Sequence, residues 1–146
     1  MVDAPLCMVL GGGGHARVVI DCLRMAAAAI PAAILDADES LWGTSVMDVP
    51  ILGGDALIDE AETRGISAFV VGLGHMGDSG PRRRLFELGL SHGLSPIFVR
   101  HPAAILSRDA VIGRSCQLLP GCIVNGGARI GDNVIINSGA IIEHDC

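Results

Sequence analysis

Glu143, His144 and Asp145 stand side by side in the segment "INSGAIIEHDC", three titratable side chains in a row. An imidazole with an unperturbed pKa of about 6.5 is suited to taking up a proton at neutral pH. A carboxylate on its other ring nitrogen holds the tautomer and supports the charge that develops. The same triplet also makes an ordinary solvent-facing corner, and taken alone it favours that plainer reading. A second group occurs in "GGGGHA", Gly11 to Ala16. Gly11, Gly13 and Ala16 fit G-x-G-x-x-A, in which glycines permit a tight turn and close approach of a ligand. Amide N–H groups at the following helix start face an anion such as diphosphate, which makes Gly11, Gly13 and Gly14 candidate ligand-binding residues. Asp36, further along, stands where a dinucleotide enzyme binds a ribose hydroxyl. The plainer alternative is that four glycines only make a close strand-to-helix turn. His15, inside the turn, is placed to bond a phosphate or sugar, or to cap its own helix.

The elements that must position these groups are of two kinds. "LCMVL" (Leu6 to Leu10) is a short apolar run ended by glycines, and Arg17 to Ala29 carries apolar residues at helical spacing. That is strand, turn and helix. "PAAILD" (Pro31 to Asp36) reads as a second strand, "DALIDEAETRG" (Asp55 to Gly65) as a helix and "SAFVVGLG" (Ser67 to Gly74) as a third strand. Pro81 to Ser91 reads as a further helix and "SPIFV" (Ser95 to Val99) as a further strand. Alternating strands and helices predict an α/β, Rossmann-like parallel sheet over residues 1–102.

After His101 the pattern changes to a period of six: AILSRD, AVIGRS, CQLLPG, CIVNGG, ARIGDN, VIINSG, AIIEHD. The third place is aliphatic in every repeat, from Leu106 to Ile142, and the first is always small and apolar. The last two places are rich in turn residues suited to left-handed backbone. A period of six predicts a parallel β-helix over residues 103–146, with like side chains stacked between coils and backbone groups paired from coil to coil. His144 then falls on the fifth place, a corner that projects outward, while Ile142 is committed to the core.

Composition excludes several classes. The chain has 146 residues, half of them apolar, with 20 glycines and 3% aromatics, so a core of small aliphatic side chains is expected. A net charge of −6 argues against a nucleic-acid partner, and the one basic cluster, Arg82 to Arg84, reads as a solvated helix face. His75, His92 and His101 likewise read as solvated. No secretion signal is readable, and no apolar run is long enough for membrane insertion. Five cysteines without a C-x-x-C pair suggest core fillers in a reducing cytoplasm, with neither a disulfide framework nor a metal site.

"LGGGGHAR" followed by "IGDN"-type hexads and "NSGAIIEHDC" resembles the sialic-acid O-acetyltransferase and bacillosamine N-acetyltransferase family of hexapeptide acyltransferases, over essentially the whole chain. The resemblance implies a nucleotide-sugar-binding first domain, a left-handed β-helix, and a homotrimer with acetyl-CoA between adjacent β-helices. It implies His144 as general base, Asp145 as its carboxylate and Asn137 as a residue that shapes the site. Family members continue for further coils, so the chain is read as truncated. The expected function is acetyl-CoA-dependent acetylation of the amine of a nucleotide-linked amino sugar in surface glycan biosynthesis. Three alternatives accompany it: a sugar O-acetyltransferase, an NAD-dependent oxidoreductase, and an inactive nucleotide-sugar-binding or assembly fragment.

Overall fold

The computed structural model describes residues 4–75 and 77–146. Strand β1 (Leu6–Leu10) leads into helix α1 (Gly14–Met25) and strand β2 (Ile30–Leu35), followed by β3 (Ser45–Val46), β4 (Val49–Gly53) and β5 (Ala68–Val71). Helix α2 (Gly80–Ser91) and the short strand β6 (Ser95–Pro96) complete a sheet of order β3-β4-β2-β1-β5-β6. Its pairings are parallel except for the β3–β4 hairpin at one edge. Alternation along the strands decides which helix each side chain meets. Cys7, Val9, Ala68 and Val70 pack with Val19, Ile20 and Leu23 of α1. Met8, Leu10, Phe69 and Val71 pack with Leu85 and Phe86 of α2. Both faces are therefore buried, which is why the strands read as continuous apolar runs.

Two local expectations need correction, and one element went unread. Helix α1 starts at Gly14 and ends at Met25, where Ala27 turns to φ 51°. The segment expected as a helix from Asp55 forms a 3₁₀ helix over Asp55–Glu60 and then turns, with only Ile58 and Ala61 buried as anchors. So few anchors do not repay a full α-helix. The β3–β4 hairpin was not foreseen, because its turn uses Met47 and Asp48 at φ 48° and 64° in place of the usual Asn-Gly signal.

The strand expected over Ser95 to Val99 divides. Ser95–Pro96 joins the sheet, whereas β7 (Val99–Arg100) pairs with Gln117 and Leu118. Two-residue strands then recur every six residues: β8 (Ile105–Leu106), β9 (Val111–Ile112), β10 (Gln117–Leu118), β11 (Ile123–Val124), β12 (Arg129–Ile130), β13 (Ile135–Ile136) and β14 (Ile141–Ile142). They stack as three parallel sheets, β7-β10-β13, β8-β11-β14 and β9-β12. Gln117 pairs with Ile135 and Ile123 with Ile141, which is three hexads per coil. Stacking thus begins at Val99, ahead of residue 103. Leu118, Val124 and Ile136 are buried along the axis with Ala104, Cys116, Cys122 and Ala128. Coil-to-coil bonds such as Gln117 N–H to Val134 O (2.9 Å) satisfy the backbone.

Arg82 and His101 join the two halves, and neither is solvated as expected. Arg82 is only 4% exposed. Its Nε donates to Asn133 O (3.0 Å) and its Nη1 to Leu73 O (2.7 Å), so α2 is tied to the segment after β5 and to the β-helix. A planar guanidinium fork suits such divergent carbonyls, and burial lowers its pKa to about 10. Arg83 and Arg84 do stay on the surface, paired with Glu87 and Asp55. His101 is buried, with Nδ1 accepting from Ala103 N–H (3.0 Å) and Nε2 against Met25 Sδ (3.2 Å). All five cysteines are free thiols, four of them buried. Among the described residues no helix is long and apolar enough to cross a membrane.

Candidate functional site

The four glycines of the first turn do different things. Gly11 follows β1 at φ 104°, and a Cβ there would come within 2.9 Å of Leu73 N. A Cβ on Gly72, which follows β5, would overlap the Gly11 carbonyl oxygen and Val9, so it too has no room for a side chain. Gly12 is buried and its N–H donates to Asp36 Oδ2 at 2.6 Å. Gly13 and Gly14 are exposed, and a Cβ on either meets nothing within 4 Å. Gly11 and Gly12 therefore serve the fold, while Gly13 and Gly14 leave an open surface at the start of α1. That helix has neither a side-chain cap nor an acidic residue in its first turn, so the positive end of its dipole is uncompensated.

Asp36 braces this turn. Besides Gly12, it accepts from Asp38 N–H through Oδ1 at 2.8 Å. Trp42, which sequence reasoning passed over, donates from Nε1 to Asp36 O (2.8 Å) and remains 42% exposed beside it. His15 does not cap its helix. Its Nε2 lies 2.7 Å from Oε1 of Gln117, a fully buried residue of β10. Burial, with help from the charge of Arg82, lowers the His15 pKa against the opposing effect of the Gln117 bond. Gln117 was also missed. Its signal was a lone amide at the second place of a hexad, where five of the other six repeats carry Ile or Val.

The second group lies at a β-helix corner after β14. His144 Nδ1 and Asp145 Oδ2 are 2.9 Å apart, with side chains 79% and 80% exposed. Asp145 has φ 58°, and its N–H donates to Gly126 O in the preceding coil (3.0 Å). Glu143 is engaged elsewhere, accepting from Asn125 Nδ2 at 3.2 Å. Asn137 stands one corner earlier, after β13, where its Oδ1 accepts from Ser138 N–H (2.9 Å).

The chain does not bring the two groups together. The glycine turn reaches the β7-β10-β13 sheet through Gln117, whereas His144 follows the β8-β11-β14 sheet, and among the described residues no hydrogen bond joins them. A cavity of about 610 Å³ lies between α2 and the corner at Arg114, Asp132 and Asn133, and none of the residues singled out as candidate site residues from sequence lines it.

Residues 7–87 match the family described as the PglD N-terminal domain, and residues 109–144 match the bacterial transferase hexapeptide, six repeats. The chain belongs to the family defined by the PglD N-terminal domain, here followed by bacterial transferase hexapeptide repeats, and its β-helix is the left-handed kind. Among solved structures it is similar to PerB from Caulobacter crescentus in complex with CoA and GDP-perosamine. That match has 34% identity and a TM-score of 0.86, covering 100% of this chain and 65% of that one. It is also similar to the acetyltransferase domain of PglB from Neisseria gonorrhoeae in complex with acetyl coenzyme A, at 26% identity and a TM-score of 0.82. Here 98% of this chain and 66% of that one are covered. The chain thus spans about two thirds of the length of these neighbours.

Proposed function

We propose that the chain carries the nucleotide-sugar turn and the general base of an acetyl-CoA-dependent acetyltransferase acting on the amine of a nucleotide-linked amino sugar, in surface glycan biosynthesis. The observation that carries this reading is the His144–Asp145 pair at an exposed corner of a β-helix whose structural neighbours hold CoA with GDP-perosamine, or acetyl coenzyme A. With Nδ1–H donating to the carboxylate, Nε2 keeps a free lone pair. As the acceptor amine attacks the thioester carbonyl carbon, the C–N bond forms and Nε2 takes the amine proton. Collapse of the tetrahedral intermediate breaks the C–S bond, and the proton passes to the leaving thiolate. The products are an acetamido sugar and the free thiol of CoA.

In this reading the amides of Gly13 and Gly14 take the diphosphate, with Gly11 shaping the turn and His15 beside it. Asp36 offers its remaining lone pairs to the ribose, and Asn137 shapes the acceptor side. Because the glycine turn and His144 lie on different sides of one β-helix, acceptor and base meet across a subunit boundary in a homotrimer. Ile105 and Ile141, exposed on β8 and β14, and Val111 on β9 supply apolar surface for that contact. Free thiols throughout fit a reducing cytoplasm. An NAD-dependent oxidoreductase would leave the β-helix without a task. Mass analysis of product from nucleotide amino sugars and their hydroxyl counterparts tests the reading. An acetamide formed only from the amine is expected, and acetylation of the hydroxyl compound alone would contradict it.

A further inference from the structure

We propose that Gln117 is a positioning residue that holds His15 as its Nε2–H tautomer, so that Nδ1 presents a lone pair to a proton-donating group of the ligand, a sugar hydroxyl or ammonium. The ligand half of this proposal rests on the nucleotide-sugar reading above, whereas the tautomer half rests on geometry within the chain.

The orientation of the Gln117 amide is fixed by its second partner. Its Nε2 lies 2.6 Å from the carbonyl oxygen of Val71, which can only accept, so the NH₂ is on that side and Oε1 faces His15. An amide oxygen also only accepts. His15 Nε2 must therefore carry the hydrogen. The lowered pKa of His15 keeps the ring neutral at pH 7, which leaves Nδ1 bare. Among the described residues Nδ1 has no hydrogen-bond partner. It lies on the side of Gly74, where a Cβ would stand 3.4 Å from His15 Cβ and 3.9 Å from Nδ1. A bare imidazole nitrogen and a phosphate oxygen are both acceptors and repel each other. The diphosphate is thus left to the amides of Gly13 and Gly14, and His15 reads a donor.

Long-range ¹⁵N NMR correlations of the His15 ring in the ligand-free protein read the tautomer directly. From pH 7 upward Nε2 should be protonated and Nδ1 not. The reverse pattern, or the tautomer averaging of a solvated imidazole, overturns the assignment. Gln117→Leu removes the acceptor and should abolish the single-tautomer signature. Gln117→Glu keeps an acceptor and adds charge, so His15 should titrate at higher pH with Nε2 still protonated. Unchanged His15 spectra in both variants would reduce Gln117 to a space filler. If either variant fails to fold, the wild-type spectrum still decides. Gln117→Leu should also weaken nucleotide-sugar binding about three- to tenfold, as for one neutral hydrogen bond, and leave binding of the nucleoside diphosphate alone unchanged. Equal losses for both ligands would put His15 on the diphosphate and overturn the ligand half. A wild-type protein that binds neither ligand overturns the ligand half together with the nucleotide-sugar reading, while the spectra decide the tautomer independently.

Discussion

His144 Nδ1 lies 2.9 Å from Asp145 Oδ2 at a corner where Asp145 takes a left-handed backbone, φ 58°. Ser115, Gly121, Gly127, Asn133 and Gly139 adopt the same conformation at the same hexad place. Left-handed backbone costs an L-residue about 1–2 kcal/mol, and Asp is among the residues that tolerate it best. The conformation that turns the coil also aims the carboxylate at the imidazole, so the fold of the repeat and the polarity of the pair have one origin.

Gly127 sits one coil away from Asp145, and a Cβ on it would overlap Asp145 Oδ1. Gly127→Ala is expected to cost about 1–2 kcal/mol through its φ of 71° and to push the carboxylate off His144. Gly139→Ala carries the same φ of 71° but meets open space. Both should lower the melting temperature similarly, whereas only Gly127→Ala should slow acetyl transfer. Equal rates in the two variants would show that the carboxylate position is immaterial.

The glycine turn yields a contrast between packing and binding. Gly13→Val should lower the melting temperature only modestly, since the site is open and its φ of −80° suits any residue, while valine is a poorer helix N-cap than glycine. It should weaken nucleotide-sugar binding in calorimetric titration. Gly72→Ala, wedged against Gly11 and Val9, should lose about 1–3 kcal/mol of stability through overpacking. Undiminished nucleotide-sugar affinity in Gly13→Val would remove the proposed phosphate contact.

Asp36 is expected to matter for folding before it matters for any ligand. Asp36→Ala orphans the buried Gly12 N–H and should cost about 1–3 kcal/mol in denaturant titrations. Asp36→Asn, which keeps an acceptor, should cost less. A stable Asp36→Ala protein would contradict the bracing role.

The repeat was legible because it follows from a period of six, and the sheet because β1 and β5, buried on both faces, read as short apolar runs between helices. What escaped the sequence depends on contacts between distant segments. Three consecutive arginines look like a solvated face until α2 turns Arg82 toward the carbonyls of Leu73 and Asn133. His101 looks like a loop residue until Met25 closes over it. G-x-G-x-x-A marked the turn, yet it could not tell that Gly11 and Gly12 are packing positions and Gly13 and Gly14 open ones, since the crowding comes from Gly72, Leu73 and Ile51. Gln117 stood out from its column, but its partner His15 lies in the other half of the chain.

Protonation of His15 should make stability depend on pH. Its folded pKa is lowered below the ordinary imidazole value of about 6.5, chiefly by burial. The unfolded chain therefore binds the proton first, and the contribution is fully present above that value and lost as pH falls below it through the folded pKa. Melting temperatures should decline across that interval, and less so in His15→Gln. An unaltered pH profile in the variant would contradict the assignment.

The central claim is acetyl transfer with His144 as the base. Thiol release from acetyl-CoA, measured with the purified protein, should require a nucleotide amino sugar. His144→Ala should lower turnover by about two to four orders of magnitude, and Asp145→Asn by less, with nucleotide-sugar binding intact in both. Thiol release in His144→Ala at the wild-type rate would contradict the account.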